Sequence, residues 1–395
     1  MQGNIIKHFI LFKISTLLIV TLLTGCGSGD EGTTSEDSFN PSEKSFLYSL
    51  FQTEYLWYDQ VEESVDTSSY QTRQEMINDL RYSLDKWSFV QTTQEYLNST
   101  NQVTQGFGCY FNYAQVFLID INSPCELAGV QRGDTLYFID HQTVTNSNYN
   151  DARENLNVET IFTVDRDGSF VDIPITPSVY NYKVTQYQIF TKPSGVKVAH
   201  MLFNSFTSTS ADEIDEAFTY FKNNNVDELI VDLRYNTGGS VTTASILMDK
   251  IGAYGRDGEL QAEFRYNPNY SDRNSQLNFE QDENSLNLSR VFFLTGYYTA
   301  SASELVINGL KPYMNVKLIG ATTHGKPVGM RGREKSGYIY WLINFSNYNA
   351  NGEGDYYNGI NVDCSVSDEL NSTRMDANES LLAQALYYID NNSCY

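Results

Sequence analysis

The chain has 395 residues, 41% of them apolar, which allows a packed body of two or three domains. Its 26 basic residues stand against 49 acidic ones, a formal charge of −23. Such a balance argues against nucleic-acid binding, which needs basic clusters to neutralise phosphates, and reads as a solubilising surface.

In chain order, Lys7 and Lys13 give a positive start, and Ile14 to Leu23 is almost wholly apolar but short for a bilayer span. Leu23-Thr24-Gly25-Cys26 then resembles the bacterial lipobox, with small residues where cleavage needs them. The expectation is a signal peptide over 1–25 and lipid on Cys26. The competing reading is a plain signal peptide or short anchor with an incidental cysteine. Lipidation would place the protein in a bacterial cell envelope, on the periplasmic side or the outer-membrane surface. Residues 26–42, rich in Gly, Ser, Thr, Asp and Glu, read as a flexible tether.

Residues 43–101 carry a helical pattern: Phe46, Leu47, Leu50 and Phe51 recur at helix spacing, as do Met76, Leu80 and Leu84. Residues 102–178 are β-rich. Gly106-Phe107-Gly108 opens this stretch, followed by Ser123-Pro124, Ala128-Gly129-Val130 and Gly133-Asp134 before the apolar strand 135–139. The ordered succession resembles a PDZ domain. That resemblance implies that Gly106, Phe107 and Gly108 form a loop whose N–H groups hold a peptide's C-terminal carboxylate, with the peptide added to the adjoining strand. From 179 to 395 strands and helices alternate: strands at 196–203, 228–233, 291–294 and 316–319, helices at 211–223 and 301–310. This implies an α/β core.

Of the cysteines after Cys26, Cys109, Cys125, Cys364 and Cys394 allow three pairings in an exported protein. One of these, Cys364–Cys394, would pin a helix over 379–389 to the last core strand, and the other pairings stay open. The cysteines lack histidine partners, and His141, His200 and His324 lie far apart, so no metal site is expected.

Three elements could carry chemistry. Asp232-Leu233-Arg234-Tyr235-Asn236-Thr237-Gly238-Gly239 is a buried strand ending in a Gly-Gly turn. The turn suits close backbone approach to a ligand, or is an ordinary strand-to-helix connection. Ser301-Ala302-Ser303-Glu304 precedes an apolar run. It fits a capping box, but a helix start also gives a nucleophile exposed N–H groups and a positive dipole. Gly325-Lys326 sits in a loop. A loop lysine is ordinarily a solvated charge, and becomes a base only where burial disfavours its ammonium.

In this order the three elements resemble the C-terminal processing peptidases, also called tail-specific proteases. The family pattern is Asp-Leu-Arg-x-Asn-x-Gly-Gly, then Ser-Ala-Ser-Glu, then Gly-Lys, and Lys326 lies 25 positions after Ser301 as the pattern requires. An embedded PDZ domain is a further family feature. The resemblance implies a crotonase-like α/β protease core behind a helical N-terminal domain and a PDZ domain. It implies Ser301 as nucleophile and Lys326 as general base. The oxyanion hole would use the N–H of Ala302 with that of Gly238 or Gly239. Substrates would be proteins or peptides, with no cofactor. Two departures stand out. Met330 occupies the place of a glutamine that orients the lysine in some members, and Pro312 that of an aspartate used in others. The orienting partner is thus unassigned. Glu304 could contribute, or a plain dyad could suffice. A non-catalytic relative capturing peptide tails or small lipophiles is the alternative, and oligomeric state is left open.

Overall fold

The computed structural model describes residues 38–395, so Cys26, the leader and most of the tether lie outside the described residues. The core is a six-stranded sheet in the order Thr185–Thr191, Lys197–Phe203, Glu228–Asp232, Arg290–Thr295, Asn315–Gly320, Cys364–Ser365. Only the first pair is antiparallel; the rest run parallel. Parallel strands are covered on both faces, which is why Leu229-Ile230-Val231 is an unbroken apolar run, each residue fully buried. Leu229, Val231 and Phe293 face helices Ser210–Asn223, Val241–Gly252 and Ala302–Leu310. Ile230, Phe292 and Leu294 face the helix Ser380–Asn391. Truncating a ring such as Phe293 to alanine would cost about 3–5 kcal/mol.

A second sheet packs against this core through Ala262, Phe264 and Phe345. Phe89–Thr92, Tyr338–Tyr348, Leu260–Tyr266 and Ser275–Asn278 follow one another in it, with Val328–Lys335 also paired to Tyr338–Tyr348. The helices Pro41–Thr53 and Arg73–Leu80 pack on it through Leu47, Phe51, Met76 and Ile77 against Val328, Tyr340 and Ile343. A buried ion pair, Arg73 Nη2 to Glu43 Oε1 at 2.9 Å, ties the two helices together, and Tyr340 Oη donates to the same carboxylate at 3.0 Å. The N-terminal segment is therefore not wholly helical: Phe89–Thr92 is a strand of the second sheet. Leu84, expected on the second helix, is exposed beyond that helix's end at Leu80.

The β-rich module forms a separate sheet, in the order Cys109–Asn112, Gln115–Ile119, Thr135–Ile139, Thr160–Arg166, Ser169–Ile175. Helices Pro124–Ala128 and Asn146–Glu154 belong to it. It is latched to the core by Arg132, whose guanidinium donates to the carbonyls of Glu369 and Ser372 and pairs with Asp368. Phe117 stacks on Tyr298 and meets Tyr235 edge-on. Two disulfides join Cys109 to Cys125 and Cys364 to Cys394, with Cα separations of 5.8 and 5.7 Å. The second is one of the bridges that the sequence left open.

Candidate active site

Strand Arg290–Thr295 ends in a tight turn that delivers Ser301 to the first turn of helix Ala302–Leu310. Ser301 has φ 55° and ψ −115°, a conformation that L-residues rarely adopt. The surrounding turn holds it there. Thr299 Oγ1 donates to Leu233 O at 2.8 Å, and Ala300 N and Ser303 Oγ both donate to Asn236 O, at 3.2 and 2.9 Å. Ser303 is thus committed to the Asp232–Gly239 turn. Ser301 itself stays half-buried.

The Gly-Gly turn lies directly against this serine. A Cβ on Gly238 would come within 2.8 Å of Ser301 Cβ and 2.9 Å of Ala302 N. A Cβ on Gly239 would strike the carbonyl of Phe206. Both glycines have positive φ, at 104° and 138°, so neither space nor backbone permits a side chain. Gly238 N donates to Asn236 Oδ1 at 2.9 Å, and Asn236 is anchored in turn on Phe203 O at 2.8 Å. Arg234, in the same turn, is fully buried between Asp232, Asp368 and Glu379.

Lys326 arrives on the loop after strand Asn315–Gly320. Glu304, fully buried, gathers this loop onto the start of helix Ala302–Leu310. Its Oε1 accepts from Thr323 Oγ1 at 2.5 Å and Gly325 N at 2.7 Å. Its Oε2 accepts from Lys326 N at 2.8 Å and Ser301 N at 3.0 Å. Burial pushes the Glu304 carboxyl up, while the four hydrogen bonds pull the other way. Lys326 is half-buried. Protein nonetheless crowds the amine enough that lost hydration brings its pKa down to about 8, against an opposing pull from Asp85 and Glu304. Its Nζ lies 3.8 Å from Met330 Sδ. Met330 therefore touches the lysine but offers only a weak acceptor.

Three neighbours gave no sequence signal. His324 Nε2 accepts from Trp87 Nε1 at 3.0 Å, and its ring meets Tyr297 edge-on; burial holds the imidazole below its usual pKa. Trp87 comes from the N-terminal module, as does the buried Asp85. A cleft of about 320 Å³ beside the site is lined by Arg234, Tyr235, Tyr297, Tyr298, Gly320 and Val366. It opens at the carboxyl ends of the parallel strands, where α/β sheets bind ligands.

In the β-rich module, Phe107 is buried on Phe162 and Tyr149, and Gly108 O accepts from Asp120 N at 2.8 Å. Gly106 lies under Arg153 of helix Asn146–Glu154. The free edge of strand Cys109–Asn112 is covered by Tyr149, whose Oη donates to Cys109 O at 3.4 Å and whose ring meets Phe111 edge-on. Among the described residues no group of His, Cys, Asp and Glu could hold a metal ion.

The chain resembles known proteins at three levels. Residues 197–366 match the profile described as peptidase family S41, and residues 42–89 that of the peptidase S41 N-terminal domain. A CtpA-like serine protease of Staphylococcus epidermidis is 22% identical over 383 residues, covering 91% of this chain and 73% of the relative. One from Staphylococcus saprophyticus is 23% identical, covering 87% and 71%. Among solved structures, an S41 protease from Bacteroides fragilis superposes with a TM-score of 0.74 at 24% identity, covering 88% of this chain and 97% of that one. The photosystem II D1 C-terminal processing protease gives 0.52 at 15% identity, covering 82% and 93%. With both profiles matched in order and the fold shared, the chain belongs to peptidase family S41, as a serine protease of the CtpA-like kind.

Proposed function

We propose that the protein is an exported, lipid-anchored endopeptidase that cleaves protein or peptide substrates through a Ser301–Lys326 acyl-enzyme mechanism. The observation that carries this reading is the Glu304 clamp: one carboxylate oxygen takes the N–H of both Ser301 and Lys326. It fixes nucleophile and base on a common support, while desolvation readies the lysine to act as a neutral amine.

The proton path balances. Neutral Lys326 takes the Ser301 Oγ proton as Oγ adds to the scissile carbonyl. The oxyanion is met by N–H groups beside Ser301; the Gly238 N–H is engaged by Asn236, which favours Ala302 and Gly239 as donors. Collapse expels the amine, which leaves with the proton carried by Lys326. Water then attacks the ester and passes its proton to Lys326. The acid departs, and that proton returns to Ser301.

Recognition of free C-termini by residues 106–108 belongs to the same proposal. It is supported by the order of the module's elements and by the edge of strand Cys109–Asn112, which pairs with no further strand and is flanked by helix Asn146–Glu154 through Tyr149. The lipid anchor rests on the Leu23–Cys26 motif, and with it a cell-envelope location.

The test is labelling with a fluorophosphonate probe, followed by peptide mapping. Modification at Ser301, lost in Ser301→Ala and strongly slowed in Lys326→Ala, is expected; labelling elsewhere would overturn the assignment. Mass spectrometry of the membrane-extracted N-terminus reads the anchor. An intact Met1, or an unmodified Cys26 in a processed chain, would remove that part.

A further inference from the structure

We propose that Asp85 is the positioning residue for Lys326: the N-terminal module completes the catalytic site by setting a fixed carboxylate against the lysine amine. The inference rests on the Ser–Lys reading above and supplies the partner that Met330 and Pro312 leave missing.

Asp85 is buried and held by four donors from its own module. Trp87 N and Ser88 N both reach Oδ1 at 2.9 Å, while Tyr55 Oη at 2.8 Å and Ser88 Oγ at 2.5 Å reach Oδ2. Tyr55 Oη itself accepts from Tyr82 N at 3.0 Å. A carboxylate held by this many donors cannot swing.

Two connections bring the turn around Asp85 to the lysine from opposite sides. On one, Trp87 Nε1 donates to His324 Nε2, two positions before Lys326, and the Trp87 ring stacks near Tyr357, whose carbonyl borders Gly325. On the other, Ser88 Oγ accepts from Ile343 N at 3.1 Å. Ile343 is the register partner of Met330, and Met330 Sδ touches Lys326 Nζ. Asp85 is thus bracketed against the slot that the lysine enters. The charged and titratable groups around that slot are Asp85 and Lys86 from the N-terminal turn, Glu304 from the nucleophile's helix, and His324 from the lysine's own loop. Of these, Asp85 has the largest electrostatic effect on Lys326, opposing the loss of hydration.

The geometry gives Asp85 a definite task. Without Asp85 the ammonium formed during each proton transfer would keep only Glu304 as counter-charge, and both oxygens of that carboxylate are already taken by other donors. With Asp85, the amine stays basic enough to take the serine proton, and it points along one line.

The experiment measures the pH profile of kcat/KM for the full chain, together with the 13Cε titration of Lys326 by NMR, assigned through Lys326→Arg. Asp85→Asn is expected to move both midpoints at least about one pH unit lower, because an attractive anion is lost. Ser88→Ala keeps the carboxylate but removes one of the two donors on its Oδ2, leaving more of its charge for the lysine, so it should move them higher; it also serves if Asp85→Asn does not fold. Opposite shifts from neighbouring residues are not produced by a merely structural role. Midpoints unmoved in both variants, or moved the same way, overturn the proposal. A Lys326→Arg enzyme that keeps its activity and acid limb overturns the Ser–Lys reading instead.

Discussion

Glu304 reaches Lys326 through the backbone rather than through the ammonium: its Oε2 accepts the Lys326 N–H at 2.8 Å, and the same oxygen holds Ser301 N at 3.0 Å. The carboxylate therefore acts as a joint between two loops rather than as a partner in proton transfer. This division separates what each substitution around the site should do.

Replacing Glu304 by glutamine leaves one oxygen where two served four donors, and sets an NH2 against N–H groups. The expected loss is about 1–3 kcal/mol for each buried group left unsatisfied. Differential scanning calorimetry should show a lower Tm, with kcat falling because Ser301 and Lys326 lose their common support. A Glu304→Gln enzyme with wild-type Tm and kcat would show that the clamp is dispensable.

Lys326→Arg keeps a positive charge but cannot lose a proton at working pH. Activity should fall by about 10³-fold or more, close to that of Ser301→Ala. In the wild type, kcat/KM should rise with pH through a midpoint near 8, because the neutral amine is the active form and burial lowers its pKa to about 8. His324→Ala should leave that limb in place, since the buried imidazole already titrates below its ordinary range. Loss of the limb in His324→Ala would transfer the base role to the histidine.

Tyr149 closes the groove that a peptide tail would enter, with its hydroxyl on Cys109 O and its ring on Phe111 and Phe107. Tyr149→Ala should therefore strengthen binding of peptides with free C-termini, by several-fold or about 1 kcal/mol if one hydrogen bond is released. Tyr149→Phe, which keeps the ring in place, should change it less. Isothermal titration with free and amidated peptides reads both. Equal binding of the two peptide forms would place recognition elsewhere.

The Cys364–Cys394 bridge ties the end of the C-terminal helix to the last core strand across a separation of 30 residues. Cys364→Ser, in oxidised protein, should lower stability by about 2–4 kcal/mol. An unchanged denaturant midpoint would mean that the helix is held by Leu381, Leu382 and Ala385 alone.

The sequence by itself determined the chemistry-bearing turns and the order of the core. Strands at Lys197–Phe203 and Glu228–Asp232 and the helix from Ala302 are legible because parallel strands and amphipathic helices carry strong local patterns, and Gly238 and Ser301 because their turn geometry demands particular residues. Strand Tyr338–Tyr348 was not legible. Its Tyr, Trp, Phe and Ile residues suit a strand, but beyond its hairpin with Val328–Lys335 its place is set by pairing with Leu260–Tyr266 and Phe89–Thr92, segments distant in sequence. Only the tertiary structure decided that Glu304 joins the loops that carry Ser301 and Lys326. Its spacing from Ser301 reads equally well as a capping box, and Thr323 and Gly325 declare no tie to it until the loop folds back. The same holds for Asp85 and Trp87. Nothing local distinguishes a buried aspartate that faces a lysine 241 positions away from one that ends a surface helix. Burial and long-range approach, which set the lysine's basicity, exist only once the N-terminal module docks on the second sheet.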